Sequence, residues 1–234
     1  MTALLLGILS CLGSFKLWFQ QKCIPADNMA YFPSPLIQTL GFDFPLCGRD
    51  KAAILSSELL DERFANKHLT DRNRHPIAVI AGSPGVGKTR LLLALPGILN
   101  SLIEQRKYNM NNFIPIIFTY NNGNPVCDLD YSLPIDCVLG LRILHAFSKS
   151  PQRFVEFARN VPENVLKSVT LESTLNEIVS YVNENSTINK PTKDKIQGVY
   201  LGLDEFNRLI EERGDVVDIY HLNKVYIYIT LIYH

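Results

Sequence analysis

Eight consecutive residues, Gly82, Ser83, Pro84, Gly85, Val86, Gly87, Lys88 and Thr89, have the spacing of a phosphate cradle. Glycines let a backbone wrap closely around an anion and turn its N–H groups inward. A helix that starts where such a loop ends adds the positive end of its dipole. Lys88 is then a point charge able to reach β- and γ-phosphates, and the Thr89 hydroxyl is a ligand for Mg2+. The cradle needs a strand before it and a helix after it. Residues 77–81 read Ile-Ala-Val-Ile-Ala, a short run suited to a strand buried on both faces. Residues 90–95 read Arg-Leu-Leu-Leu-Ala-Leu, a helix start, which Pro96-Gly97 is expected to interrupt early.

A second group of residues complements the first. Residues 198–203 read Gly-Val-Tyr-Leu-Gly-Leu and run into Asp204 and Glu205. An apolar strand ending in two carboxylates is the usual partner of a phosphate loop. Asp204 is expected to hold Mg2+, directly or through water. Glu205 is expected to orient and deprotonate an attacking water, as general base. Both belong at the carboxyl end of a strand beside the loop's own strand, where open α/β sheets bind ligands. A guanine-reading [NT]KxD segment is missing. Residues 192–195 end in Lys and residues 223–226 end in Tyr where the Asp would stand. ATP with Mg2+ is therefore the expected ligand pair.

The remaining reactive side chains are less pointed. Histidines 68, 75, 145, 221 and 234 have no metal-ligand spacing, and His145 is expected to be a packed residue. Cysteines 11, 23, 47, 127 and 137 are odd in number and form no CxxC pair, so they read as free thiols in a reducing compartment. Asn121 and Asn122 either polarise a γ-phosphate or its water, or form an Asn-Asn-Gly turn, the commoner use. Arg208 and Arg213 could serve a neighbouring subunit as arginine fingers, but a solvated helix face is the preferred reading. Arg90 reads as a helix-surface residue.

The elements that must position these groups follow from pattern. The chain has 234 residues, enough for one or two domains with a real core. It carries 23 basic and 23 acidic residues, with 47% apolar content. That excludes a disordered tail, a collagen-like fibre and a disulfide-dense mini-protein. Zero net charge argues against a protein whose main task is holding phosphate backbones, and no clear nucleic-acid patch is seen. Residues 2–14 are uncharged and mostly apolar, too short to span a bilayer, so a membrane partner is not expected. They read either as a signal-peptide core or, continued through residues 15–19, as an amphipathic helix packed on the rest. Prolines 25, 33, 35 and 45 make residues 24–47 a connector. A helix after Asp50 is expected to bury Ile54, Leu59, Leu60 and Phe64. Residues 113–118 read as a second strand, with Pro115 favouring an edge or a bulge. Residues 121–134 read as a loop, and 135–184 as several helical pieces, clearest at 173–182. Residues 186–195 read as a polar loop and 225–233 as a last β-like run. The expected organisation is an N-terminal segment and connector over 1–45, then an α/β domain over 46–234 with a mostly parallel sheet flanked by helices.

Gly48-Arg49-Asp50 with a helix after it, then GSPGVGKT, then LGLDE, resembles the AAA+ and STAND branch of the ASCE-type P-loop NTPases. That resemblance spans residues 46–207 and implies that Arg49 helps seat the adenine. GSPGVGKTR, a strand running into Asn over residues 117–122, Leu141-Arg142-Ile143-Leu144 and the late LDE together resemble, more narrowly, the NTPase module of Crinkler-type proteins. The resemblance implies ATP binding in the service of an effector role. Residues 1–45 do not read as a typical Crinkler header, and the residues after Glu205 do not read as a nuclease- or kinase-like domain. An AAA+-like core also needs a sensor strand, another strand and a helical lid after the DE strand. The tail after Glu205 is short for these, so an incomplete C-terminal end is expected. The functional expectation is Mg2+-dependent ATP hydrolysis driving a conformational or effector function. The alternative is a regulatory switch, or a truncated Crinkler-like effector, that binds nucleotide without turnover. A nucleoside kinase is less favoured, because no arginine cluster marks a lid. A second copy or a protein partner is expected. The compartment is expected to be intracellular, or the chain is a secreted effector if residues 1–14 act as a signal peptide.

Overall fold

Residues 113–119 and 198–204 alternate side chains between two faces, and that alternation organises the molecule. A computed structural model describes residues 14–23, 48–69, 71, 88–101, 110–120, 124–185 and 195–204. Strand β1 (Phe113–Thr119) pairs in parallel with strand β2 (Gly198–Asp204), from Phe113 opposite Gly198 to Thr119 opposite Asp204. Pro115 stands opposite Tyr200 in an unbroken register, so the bulge its sequence suggested is not there. Parallel strands cannot be joined by a tight turn. Among the described residues, the crossover between these two carries five helices: α4 (Asp128–Ser132), α5 (Ile135–Ser148), α6 (Phe154–Arg159), α7 (Glu163–Leu166) and α8 (Leu171–Asn185). The helical pieces expected over 135–184 are thus present. The segment expected to be loop from 121 to 134 contains α4, a helix too short for periodicity to reveal.

One sheet face carries Ile114, Ile116, Phe118, Val199 and Leu201, which join the larger core. Helix α5 fills the centre of that core. It is buried nearly all round, from Cys137 to Phe147, as a helix packed on several sides must be. Helix α8 covers it with Leu171, Thr174, Leu175, Ile178 and Val179, at successive three- and four-residue steps. A further helix, α1 (14–22), docks on the same core, as the amphipathic reading of residues 15–19 expected. Its Phe19 stacks on Phe147 with ring centroids 6.0 Å apart and meets Tyr181 edge-on. Residues 1–13, where a signal peptide was weighed, lie outside the described residues. Among the described residues, no helix is long and apolar enough to cross a membrane.

The other face carries Ile117 and Tyr200, which join Ala53, Leu95, Leu99 and Met110 in a second core. This layer is built by α2 (Asp50–Ala65) and α3 (Lys88–Ser101). Helix α2 turns Ala53, Ser57, Leu60 and Phe64 inward, whereas Ile54 is 46% exposed. Ile54 therefore lies off the buried stripe it was expected to join. Helix α3 runs straight through Pro96-Gly97 instead of stopping there. Leu91, Leu95 and Leu99 recur on one buried side, and that burial outweighs the missing Pro96 N–H. The result is an α/β protein, mostly helical, with helices on both faces of a small parallel sheet.

Where α5 meets α8, the fit leaves no room for a side chain at Gly140. A Cβ there would stand 2.8 Å from Thr174 Oγ1, 2.9 Å from Val169 Cγ1 and 3.0 Å from the Thr170 carbonyl. Gly140→Ala is expected to lower stability by about 1–3 kcal/mol through overpacking. Urea unfolding followed by circular dichroism checks this, and an unchanged midpoint would contradict the packing.

Candidate functional site

The parity of β2 aims its last residue. Tyr200, Gly202 and Asp204 share one face, the face covered by α3, while Val199 and Leu201 point the other way. Asp204 thus ends the strand on the side where α3 begins. Its carboxylate, 7% exposed, accepts a hydrogen bond of 2.9 Å from the Thr89 hydroxyl to Oδ2. The two residues are 115 positions apart in the chain. Lys88 is the first residue of α3, one residue before Thr89. Thr119 lies opposite Asp204 in the register, and the Tyr120 N–H donates to the Asp204 carbonyl at 3.1 Å. Arg49 sits at the N-cap of α2, in the same layer as α3, with its carbonyl accepting from the Ala53 N–H at 2.9 Å.

Three of the expected site residues, Lys88, Thr89 and Asp204, therefore lie at one end of the sheet. Gly82, Ser83, Pro84, Gly85, Val86, Gly87 and Glu205 lie outside the described residues, as do Asn121, Asn122, Arg208, Arg213 and the runs 77–81 and 225–233. A hydroxyl and a carboxylate in direct contact are hard oxygen donors of the kind Mg2+ takes when phosphate oxygens and water complete its shell. The donor set fits that ion. Among the described residues there is no cluster of three or more His, Cys, Asp or Glu side chains able to hold a metal by themselves.

The sequence did not point to the second polar cluster, which stands behind the strand end. Arg142 of α5 is 2% exposed and Asp130 of α4 is fully buried. Arg142 Nε donates to Asp130 Oδ1 at 2.8 Å, and Nη2 donates to Oδ2 at 2.6 Å. The same guanidinium donates to the carbonyls of Asn124 and Pro125, each at 3.1 Å. Its Cζ lies over two rings, 4.3 Å from the Tyr120 centroid and 4.0 Å from that of Phe154. Asp130 Oδ2 also accepts the Cys127 N–H, which caps α4. A planar five-donor fork is the only side chain that can do all of this at once. The Arg142 cluster thus holds Tyr120, and Tyr120 holds the backbone of Asp204. A lone Arg in an apolar helix, with an Asp twelve residues earlier, was the available signal.

Titratable groups nearby behave as packed residues. His145, one turn beyond Arg142, has its pKa lowered by burial and by the Arg142 charge, partly offset by its bond to the Gln152 carbonyl at 2.8 Å. It packs edge-on against Phe154 and Phe157, as expected of a packed histidine. Burial pushes the Cys23 thiol up to about 12 and Cys137 to about 11. Burial, then the Asp130 charge, raises Cys127. All three are free thiols, as expected, and remain protonated at neutral pH.

No protein-family model, curated protein or solved structure matches this chain.

Two outcomes are expected. Asp130→Ala leaves a buried guanidinium without its counter-charge and should cost about 3–5 kcal/mol. Asp130→Leu with Arg142→Met removes both charges and should cost less, as denaturant titration of the three chains would reveal. A lowered His145 pKa means that the folded state binds fewer protons than the unfolded chain. Its contribution is therefore complete above the ordinary value of 6.5 and is lost as pH falls below it. His145→Gln should flatten the drop in melting temperature between about pH 7 and pH 5.

Proposed function

We propose that this chain is an ATP-binding P-loop NTPase that hydrolyses Mg2+-ATP to drive a conformational change. The observation that carries the reading is the 2.9 Å contact between Thr89 and Asp204. Each was singled out by a separate motif, one for its place after a glycine-rich loop and one for its place at a strand end. Nothing in either motif requires the two to touch unless they serve one ion. The parallel pairing of β1 with β2 and the helices on both sheet faces support the same reading.

In this reading Gly82 to Gly87 supply backbone N–H groups to the phosphates, and Lys88 adds a fixed positive charge beside the β- and γ-phosphates. Thr89 and Asp204 would hold Mg2+, which when bound offsets phosphate charge in the transition state. Asp204 presents its carboxylate from a strand end pinned through Tyr120, so little reorganisation is needed when the ligand arrives. Glu205, next in the chain, accepts the proton of the attacking water. Arg49 contacts the adenine. The energy released is passed on as movement of elements attached to the site, in an effector or regulatory setting of the Crinkler-like kind, with a second copy or another protein as partner.

Calorimetric titration with Mg2+-ATP and a phosphate-release assay test the reading. Lys88→Ala should weaken binding at least about tenfold. Asp204→Asn should abolish the gain in affinity that Mg2+ gives. Glu205→Gln should bind normally and release no phosphate. Binding without turnover by the wild type would favour a nucleotide switch, and no binding by the wild type would refute the proposal.

A further inference from the structure

Gly202 lies two residues before Asp204 on the same face of β2. Leu92 lies three residues after Thr89, one turn along α3. The pairs Thr89–Asp204 and Leu92–Gly202 are therefore successive rungs between one helix and one strand that run in opposite directions. At the second rung the surfaces have no slack. A Cβ on Gly202 would stand 3.0 Å from Leu92 Cδ1, 3.1 Å from Leu92 Cγ and 2.9 Å from Ile117 Cγ1.

We propose that Gly202 is a positioning residue for the cation site. Having no side chain, it sets how closely the start of α3 lies on the end of β2, and hence the gap between Thr89 Oγ1 and Asp204 Oδ2. This rests on the nucleotide reading given above. The two neighbours of Gly202 have different consequences. Ile117 is its cross-strand partner, and its backbone is held at the ladder spacing of the sheet. Leu92 belongs to α3, so a methyl at position 202 pushes the helix away from the strand. The first rung, only one turn distant, opens with it. A Mg2+ ion demands near-ideal geometry at about 2.0–2.1 Å from its oxygens. A shift of a few tenths of an ångström at a rung that supplies two of its ligands is therefore felt in its affinity, while phosphate binding by the loop is not.

The test compares nucleotide affinity in Mg2+ with affinity in EDTA, using a fluorescent ATP analogue, for wild type, Gly202→Ala, Leu92→Ala and the double variant. Melting temperature is recorded beside each. The wild type should bind more tightly with Mg2+. Gly202→Ala should lose about tenfold of that Mg2+ gain while its EDTA affinity changes less than about twofold. Leu92→Ala should keep the gain, and Gly202→Ala with Leu92→Ala should recover most of it, because the methyl then has room on the helix side. A lowered melting temperature with an undiminished Mg2+ gain would mean that Gly202 only serves packing and would overturn the inference. If Gly202→Ala does not fold, the double variant decides: a restored gain supports the inference and an absent one overturns it. A wild type that binds no nucleotide overturns the nucleotide reading itself, and this inference falls with it.

Discussion

A hydroxyl on the first turn of a helix and a carboxylate at the end of a strand meet at 2.9 Å, with about half of the chain between them. That contact constrains nearly everything else. The strand must end on the correct parity, because a slip of one residue would turn Asp204 into the opposite core. The helix must lie flat on the sheet, so a large side chain at position 202 is unwelcome. The layer beneath the strands must be rigid enough to keep β1 and β2 in register. The larger core answers that requirement, with α5 as a nearly fully buried strut and α8 and α1 closing around it.

The buried Arg142–Asp130 pair belongs to the same economy of position. A pair of charges taken out of water does not stabilise a fold by itself, since desolvation cancels most of the attraction. What it offers is direction. The guanidinium has a fixed plane and fixed donor angles, and here its N–H groups serve a carboxylate and two carbonyls while its carbon lies over two rings. Apolar residues could fill the same volume, but they would not specify where Asn124 and Pro125 turn.

The sequence was legible where one physical pattern dominated. An apolar run ending in Asp-Glu marked β2, three- and four-residue steps marked α8, and the glycine-rich loop followed by Lys-Thr marked where α3 starts. It misled where two patterns competed. Pro96-Gly97 reads as a stop, yet the leucines at 91, 95 and 99 keep the helix going because their burial is shared with the sheet, which no local window contains. Ile54 is more hydrophobic than Ala53 or Ser57, but the close approach of α2 to α3 admits the small residues and leaves the large one outside. Arg142 was visible as part of an apolar helix and of Leu141-Arg142-Ile143-Leu144, but its pairing was not, because its partners come from a loop and a short helix with no periodicity of their own. At the candidate site, the sequence expected Thr89 and Asp204 near one ion, and the direct contact between them is what the packing adds. A distance across 115 residues is a property of the packed layers.

Pro96 gives α3 an uneven mechanical character. It has no N–H to offer the Leu92 carbonyl, so the helix lacks one of its longitudinal ties at that point. Ahead of the gap is a short rod bearing Lys88, Thr89 and Leu92, seated on β2 at Gly202. Behind it, Ile98 and Leu99 lie in the core shared with α2, and Leu92, Leu93 and Leu95 ahead of it join the same core. The missing tie is thus bridged from the side: the two halves of α3 are kept in line by apolar contacts that both make with one neighbouring layer.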